Sequence, residues 1–295
     1  MMTTRRAFLI GTAGLFGAKA SWSTAFAQPL QDMKEKIAGI EGGVKGRLGV
    51  AVLDTGSDRR FGYREDERFP MCSTFKLLAA AAILKRVERG QETLGRRVHF
   101  SKSDLVTYSP ATEKHLDDGM TVAELCEAAI TLSDNTAGNL MLGMLGGPSG
   151  VTVFARGLGD PLTRLDRTEP TLNEAVPGDV RDTTTPAAMA ENLRKLMFGD
   201  ALAKASSGQL KTWLLANKTG NARLRARLPA GWRVGDKTGS GERGSTNDVG
   251  ILWSPDSAPI VVAVYLTETE VPAGRRNEAL AAVGEAVAGI FRTRG

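Results

Sequence analysis

The sequence predicts an α+β fold in which an antiparallel sheet, flanked by the N- and C-terminal helices, adjoins an all-helical domain. Segments typical of strands occur at 48–53 and again after residue 231, whereas the middle of the chain has helical spacing. A sheet built from both ends of the chain would carry the helical part as an insertion. We expect an active site in the cleft between the two parts.

The elements before residue 90 follow from apolar spacing and composition. A strand is predicted over 48–53, and an alanine-rich helix over 75–88 should stop at Gly90. An amphipathic helix near the start is predicted by four apolar residues at helical spacing, which are Leu30, Met33, Ile37 and Ile40.

The middle of the chain is predicted to be mainly helical. Thr185 and Pro186 suit the N-cap and the first position of one of its helices. Residues 165–182 have no clear periodicity, and an irregular stretch of this length inside a compact domain is usually functional or disordered. The expected helices and helix-like segments are 122–132, 136–145, 187–197, 210–215 and 222–227.

The last third of the chain changes character, with strands over 232–237, 248–253 and 260–267 and a helix over 275–291. These elements set the predicted domain boundaries. An α/β domain comprises 28–70 and 216–295, and the all-helical domain comprises 71–215 with the irregular loop 164–182.

The first 27 residues have the features of a signal peptide. Arg5 and Arg6 precede an apolar run over 7–18, and residues 25–27 have the small-x-small form of a cleavage site. The paired arginines favour the twin-arginine export route. A membrane anchor is the alternative, but the run is well short of the roughly 20 residues needed to span a bilayer. We expect an exported, periplasmic or secreted monomer with no stable membrane anchor.

Composition argues against nucleic-acid and metal-dependent functions. The net charge of +5 includes three basic residues of the signal segment, and the other basic residues are scattered. Two histidines and two cysteines without paired spacing do not provide the three protein ligands usual for catalytic zinc. We expect no metal site, and two free, buried thiols at Cys72 and Cys126.

The first motif that carries chemistry is Ser73-Thr74-Phe75-Lys76 at the start of the alanine-rich helix. Residues three apart share a helix face, so the Lys76 ammonium can lie beside the Ser73 hydroxyl. The helix N-terminus favours an oxyanion there. The alternative is an N-cap serine followed by a solvated lysine.

The second motif is Ser133-Asp134-Asn135, at the boundary of two helical stretches. Its functional interpretation gives Ser133 a proton-relay role and Asn135 an amide that binds substrate. The alternative is that Asp134 simply caps the second helix.

The third motif, Lys-Thr-Gly, occurs twice. The copy at 237–239 ends a predicted strand, which can hold a lysine and a hydroxyl beside a cleft. The copy at 218–220 lies between helix-like segments. We assign function to Lys237 and interpret Lys218 as a solvated turn residue.

The fourth motif is Arg167-Thr168-Glu169-Pro170-Thr171-Leu172-Asn173, inside the irregular loop. A cis peptide bond can occur before Pro170. Glu169 and Asn173 are four residues apart, so one helical turn would let both hold a single water. Arg167 and Asp182 could join the ends of the loop as a bidentate pair. The alternative is a charged surface loop.

Together and in this order, these motifs resemble those of class A β-lactamases, over roughly residues 28–295. The Glu169-to-Asn173 segment distinguishes that family from the penicillin-binding transpeptidases, which share the serine and lysine. The resemblance implies hydrolysis of penicillins and cephalosporins through an acyl-enzyme on Ser73, with no metal or organic cofactor. A D-Ala-D-Ala carboxypeptidase or transpeptidase is the alternative, and a non-catalytic penicillin receptor is a second.

The resemblance also implies the roles of individual residues. Either Lys76 or Glu169, the latter through a water, takes the proton of Ser73, and Ser133 protonates the departing nitrogen. Glu169 and Asn173 then deliver water to the acyl group. The residues implied in substrate binding are Tyr108, Asn135, Arg223, Lys237, Thr238, Gly239 and Ser240.

At three positions the chain departs from patterns seen in parts of the family. Some members carry an arginine where this chain has Thr246. Cys126 and Cys72 each match one half of a family disulfide, but the other halves would be Ala80 and Gly241. Neither bridge can form, which separates the chain structurally from the carbapenem-hydrolysing members that have the second one.

Overall fold

The computed structural model describes residues 21–291, with a sheet and helices in the predicted order. Residues 1–20 of the predicted signal peptide lie outside the described part. Its helices are α1 (Ser21–Val44), α2 (Phe75–Glu88), α3 (Val122–Thr131), α4 (Asn135–Met144), α5 (Pro148–Gly157), α6 (Pro186–Phe198), α7 (Lys204–Leu215) and α8 (Ala273–Phe291). Its strands are β1 (Arg47–Asp54), β2 (Arg60–Tyr63), β3 (Phe69–Pro70), β4 (Arg97–Val98), β5 (Met120–Thr121), β6 (Thr183–Thr184), β7 (Arg233–Ser240), β8 (Thr246–Trp253) and β9 (Ile260–Thr267).

The five long strands form one antiparallel sheet in the order β2-β1-β9-β8-β7. The first and last long strands are neighbours, with Leu48 opposite Leu266 and Leu53 opposite Val261. The prediction of a sheet built from both ends of the chain is therefore confirmed. Strand β7, which carries the second lysine of the predicted site, is left at the edge of the sheet.

Both faces of the sheet are covered, and alternate residues of each strand contribute to different cores. In β1, Val50 and Val52 pack with α1 and α8, whereas Ala51 and Leu53 pack with the helices between residues 75 and 215. Helices α6 and α7 lie directly against the sheet on that second side. The arrangement has three layers, with the sheet in the middle.

Two sequence predictions about local structure are wrong. Residues 222–227 form turns and no helix, because the Leu224 N–H donates to the Asp248 carboxylate (3.2 Å) instead of continuing a helical ladder. Strand β7 extends three residues beyond Lys237, to Ser240. The Lys-Thr-Gly motif therefore lies within a strand and not at its end.

Helix α6 begins as predicted, with Thr185 accepting a hydrogen bond from the Ala188 N–H and Pro186 in the first turn.

Among the described residues, no helix is long and apolar enough to cross a lipid bilayer.

The loop between Leu165 and Asp182 is irregular except for a single 3-10 turn, Thr171–Asn173. The Asp182 carboxylate joins its ends by accepting the N–H groups of Asp166 and Arg167 and the Nε of Arg167, at 2.6–2.9 Å. The predicted bidentate pair is wrong in detail, because Arg167 uses another nitrogen, Nη1, on Glu174. The Glu169–Pro170 peptide is cis, as the sequence allowed.

Candidate active site

Ser73 lies in a buried 3-10 turn, Cys72–Thr74, that leads directly into α2. Cys72 has φ of 45°, so the backbone turns sharply before the serine. The Asn247 side chain fixes this turn by donating to the carbonyls of Pro70 and Met71, at 2.9 and 3.0 Å. Ser73 caps neither the turn nor α2, so the N-cap alternative is wrong and its hydroxyl is available for chemistry.

The Lys76 ammonium is fully buried beside the serine, so the alternative of a solvated lysine is also wrong. Its Nζ lies 2.9 Å from Ser73 Oγ, 2.8 Å from Ser133 O and 2.7 Å from Asn135 Oδ1. Burial lowers the pKa of Lys76, and the charge of Glu169 opposes that shift. Lys76 is thus closer to losing its proton than a surface lysine.

Glu169 is 2% exposed and completes the centre. Its Oε1 lies 3.0 Å from both Ser73 Oγ and Lys76 Nζ, and Asn173 Nδ2 donates to its Oε2 at 2.5 Å. Glu169 and Asn173, which we expected to hold one water, also contact each other directly. The tight 3-10 turn brings the two side chains together.

Asn139 is a residue that the sequence analysis missed. Its side chain clamps the Glu169 peptide from α4: Nδ2 donates to Glu169 O and Oδ1 accepts from Glu169 N–H, both at 2.9 Å. It lies one helical turn after Asn135, on the same face of α4, and this spacing could have identified it.

In the Ser133–Asn135 motif, Asp134 caps a helix, whereas Ser133 and Asn135 contact the lysines of the site. Asp134 caps α4 by accepting from the Ala137 N–H at 2.8 Å, so the capping alternative holds for this residue. Asn135 Nδ2 donates to Thr107 O at 2.8 Å while its Oδ1 holds Lys76. Ser133 has φ of 60° and presents its hydroxyl to the opposite wall.

Lys237 on β7 provides that opposite wall. Its Nζ donates to Ser133 Oγ at 2.9 Å and to Thr238 O at 2.7 Å, and the side chain is fully buried. Burial, followed by the charges of Lys76 and Arg223, holds the pKa of Lys237 well below its usual range. Lys218 is exposed, as predicted for the other copy of the motif.

The edge of β7 approaches the nucleophile turn closely because position 239 is glycine. A Cβ at Gly239 would lie 2.8 Å from Met71 O and 3.2 Å from Thr74 Cγ2. Any side chain there would push the strand away from Ser73. Gly239 therefore contributes space and not a functional group.

Arg223 lies along the far end of this strand, with its Nη1 on the carbonyls of Gly239 and Asn247 at 2.8 and 2.7 Å. Its Nη2 donates to Ser240 Oγ at 2.7 Å, which leaves one Nη2 proton for a ligand. Ser240 is exposed, and Tyr108 is 57% exposed at the other rim. Thr246 pairs with Ser240 across the sheet.

The remaining predictions concern cysteines and metals. Cys72 and Cys126 are free and buried, and burial raises the pKa of both thiols. A Cβ at Gly241 would lie 2.7 Å from Cys72 Sγ, so this glycine occupies the place of the family's missing disulfide partner. Within residues 21–291, no group of three or more potential metal ligands occurs.

Comparison of the sequence with known proteins identifies the family of this chain. The sequence pattern of the Beta-lactamase enzyme family matches residues 32–291. The chain is 51% identical over 273 residues to β-lactamase OXY-1 of Klebsiella oxytoca, covering 92% of each chain. It is 48% identical over 287 residues to β-lactamase CTX-M-8 of Citrobacter amalonaticus, covering 97% of this chain and 95% of the relative.

Solved structures give the same result at the level of the fold. An ancestral (GNCA) class A β-lactamase is 64% identical, with a TM-score of 0.87, over 88% of this chain and 100% of the ancestral one. The chain therefore belongs to the class A β-lactamase family of serine hydrolases.

Proposed function

We propose that this protein hydrolyses the β-lactam ring of penicillins and cephalosporins through an acyl-enzyme on Ser73, and so confers resistance to them. The observation that carries the assignment of residues is the mutual contact of Ser73 Oγ, Lys76 Nζ and Glu169 Oε1, all at 2.9–3.0 Å. A nucleophile needs an adjacent base, and this serine has two.

In the acylation step, Ser73 Oγ attacks the lactam carbonyl and loses its proton to Lys76 or to Glu169. Lys76 can take this proton only as a neutral amine, and burial lowers its pKa toward that form. Its Nζ contacts three groups that only accept, Ser133 O, Asn135 Oδ1 and Glu169 Oε1, so the site before substrate binds suits the charged ammonium. Glu169 offers the alternative acceptor, and which base acts in this family is disputed.

The tetrahedral intermediate carries a negative oxygen that backbone N–H groups stabilise. We assign this role to the N–H groups of Ser73 and Ser240, which flank the close approach at Gly239. One such donor typically lowers the activation barrier by about 3–4 kcal/mol. Collapse of the intermediate breaks the lactam C–N bond, and Ser133 passes its proton to the departing nitrogen. Lys237, bonded to Ser133 Oγ, can restore the proton.

Substrate binding uses the charge of the cleft. Lys237, Thr238, Ser240 and Arg223 bind the carboxylate next to the lactam ring, with the spare Arg223 Nη2 proton as one donor. Asn135 binds the side-chain amide of the substrate, and Tyr108 covers the rim.

In deacylation, Glu169 removes a proton from the water that attacks the ester on Ser73. Asn173 orients the carboxylate through its Nδ2. The Oδ1 of Asn173 is buried and has no hydrogen-bond partner within residues 21–291, so it can accept a hydrogen bond from the same water. The C–O bond to Ser73 breaks, and the proton that Glu169 took from the water passes to Ser73 Oγ.

The turnover of nitrocefin by purified mature protein tests the proposal. Many turnovers per molecule, lost in Ser73→Ala, are expected of a lactamase. A carboxypeptidase or transpeptidase would turn over lactams slowly and cleave D-Ala-D-Ala peptides, and a penicillin receptor would stop after one equivalent. Glu169 in contact with the nucleophile favours the lactamase.

The proposal also divides the chain into two domains. The α/β domain comprises 28–70 and 216–295, and the helical domain comprises 71–215.

The last part of the proposal concerns the oligomeric state of the protein and its place in the cell. The mature protein is a monomer in the periplasm or outside the cell, exported by the twin-arginine route. Replacing Arg5 and Arg6 by lysine should leave uncleaved protein in the cytoplasm, and gel filtration of the mature protein gives its oligomeric state.

A further inference from the structure

The second Lys-Thr-Gly triplet, at 218–220, packs against the strand that carries the first. Thr219 Oγ1 lies 2.5 Å from Thr238 Oγ1. Gly220 is buried, and a Cβ at this position would lie 1.9 Å from Asp236 Oδ2. Only Lys218 points to solvent, so the turn reaches the substrate-binding strand through its threonine.

The direction of the threonine–threonine hydrogen bond follows from the neighbouring amide. Asn217 Oδ1 accepts from the Thr219 N–H at 3.0 Å and from Thr219 Oγ1 at 2.8 Å. An amide oxygen cannot donate, so the single hydroxyl proton of Thr219 is committed to Asn217. Thr238 must then be the donor to Thr219, and its proton faces away from a carboxylate in the cleft.

We propose that Thr219 is a positioning residue for the substrate carboxylate, acting through Thr238. When a carboxylate binds, both hydroxyls rotate: Thr238 donates to the carboxylate and Thr219 donates to Thr238. Asn217 Oδ1 retains the Thr219 N–H, so it is not left without a donor. Each oxygen keeps its own proton, and only the direction of the chain reverses.

The reversed chain strengthens the contact that matters for binding. A hydroxyl that accepts one hydrogen bond becomes a better donor in the next, and the burial of Thr238, which is 4% exposed, enhances the effect. Thr219 itself is half-buried. If residue 219 could not donate, Thr238 Oγ1 would accept no hydrogen bond from it while the Thr238 hydroxyl donates to the substrate carboxylate.

The inference rests on the proposed role of Thr238, and the experiment separates the two. We would measure kcat and KM for benzylpenicillin and for its methyl ester, which lacks the anionic group, in the wild type, Thr219→Val, Thr219→Ser and Thr238→Val. Lys218→Ala, in the same turn but exposed, is the matched control.

Thr219→Val should lower kcat/KM for benzylpenicillin about 3- to 10-fold, the effect of one hydrogen bond, and change the value for the ester little. Thr219→Ser should retain wild-type values, and adding Thr219→Val to Thr238→Val should cause no further loss. A full loss on both substrates, or failure of serine to rescue, would mean a structural role and overturn the inference. If Thr238→Val lowers kcat/KM for benzylpenicillin more than for its methyl ester but Thr219→Val does not, the inference about Thr219 is wrong and the proposed role of Thr238 is kept. If neither does, the proposed role of Thr238 fails as well.

Discussion

Replacing Glu169 by alanine should separate formation of the acyl-enzyme from its hydrolysis. Glu169 is the carboxylate in contact with Ser73 Oγ, at 3.0 Å, and the proposed base for the attacking water. Loss of a general base typically lowers a rate about 10²- to 10⁴-fold. Deacylation should slow by this amount, whereas acylation retains Lys76 as a second base 2.9 Å from the serine.

The electrostatics of the site favour this uncoupling. Burial lowers the pKa of Lys76, and Glu169 is the largest opposing influence. Without that carboxylate the pKa of Lys76 falls further, and a neutral amine can accept the serine proton. Breaking a buried ion pair usually costs about 3–5 kcal/mol when the other charge remains. Because Lys76 can lose its charge, we expect Glu169→Ala to lower the free energy of unfolding by about 3 kcal/mol or less.

Mass spectrometry after mixing with benzylpenicillin provides the assay. The variant should show one lactam adduct per molecule that persists, and a nitrocefin burst of one equivalent should precede slow turnover. Glu127→Ala, which removes an exposed carboxylate on α3, is the matched control and should behave as the wild type. Turnover of Glu169→Ala at the wild-type rate, with no adduct, would refute Glu169 as the deacylation base.

Two further predictions concern the substrate site. Lys237→Ala should lower kcat/KM, because Lys237 binds both Ser133 and the proposed carboxylate position, whereas Lys218→Ala should change it little; the reverse result would transfer the function to the other motif. Benzylpenicillin and cephalothin should be hydrolysed with higher kcat/KM than imipenem, since Arg223 and Ser240 supply the carboxylate contacts and no disulfide joins Cys72 to position 241. A single pocket contact alters such ratios by only about 1–3 kcal/mol, so an imipenem value equal to the others would contradict the ranking alone.

The sequence predicted the parts of the site that depend on local geometry. Ser73 and Lys76 are three residues apart on one helix face, and their contact follows from that spacing. Glu169 and Asn173 belong to one short segment and also meet. The long elements of the sheet were predictable as well, because alternate residues of β1 and β9 are buried on opposite faces.

Contacts between distant segments were not predictable from periodicity. Residues 222–227 have helix-like composition, but the Leu224 N–H is drawn to Asp248 on a strand more than 20 residues away. The Thr219–Thr238 contact joins a turn to a strand, and no local pattern marks it. Such contacts depend on tertiary packing, which overrides local propensity.

Two buried acids, Asp236 on the substrate-binding strand β7 and Asp248 on its neighbour β8, lead to a prediction about pH. Asp236 and Asp248 are both fully buried, and Asp248 lies directly opposite Thr238 across the sheet. Within the described residues, Asp236 Oδ2 and Asp248 Oδ1 have no hydrogen-bond donor. Two carboxylates can only accept, so one proton shared between them would satisfy both oxygens. Burial, and then the charge of Asp236, raises the pKa of Asp248 well above its usual range, and Arg223 opposes this shift. Arg225 forms an ion pair with the other oxygen of Asp236, Oδ1.

The sign of the effect follows from which state holds the proton. The folded protein keeps a proton on Asp248 that the unfolded chain releases near the ordinary value of 3.8. Stability from this group is therefore present below that pH and is lost as the pH rises toward the raised pKa, the reverse of a salt-bridged acid.

Asp248→Asn supplies a permanent donor to Asp236 and keeps an oxygen for the Leu224 N–H. Its melting temperature, measured between about pH 5 and pH 8, should fall less with pH than that of the wild type and be no lower at neutral pH. Asp248→Ala, which removes both hydrogen bonds, should be less stable throughout, and an asparagine variant with the alanine variant's stability would exclude the shared proton.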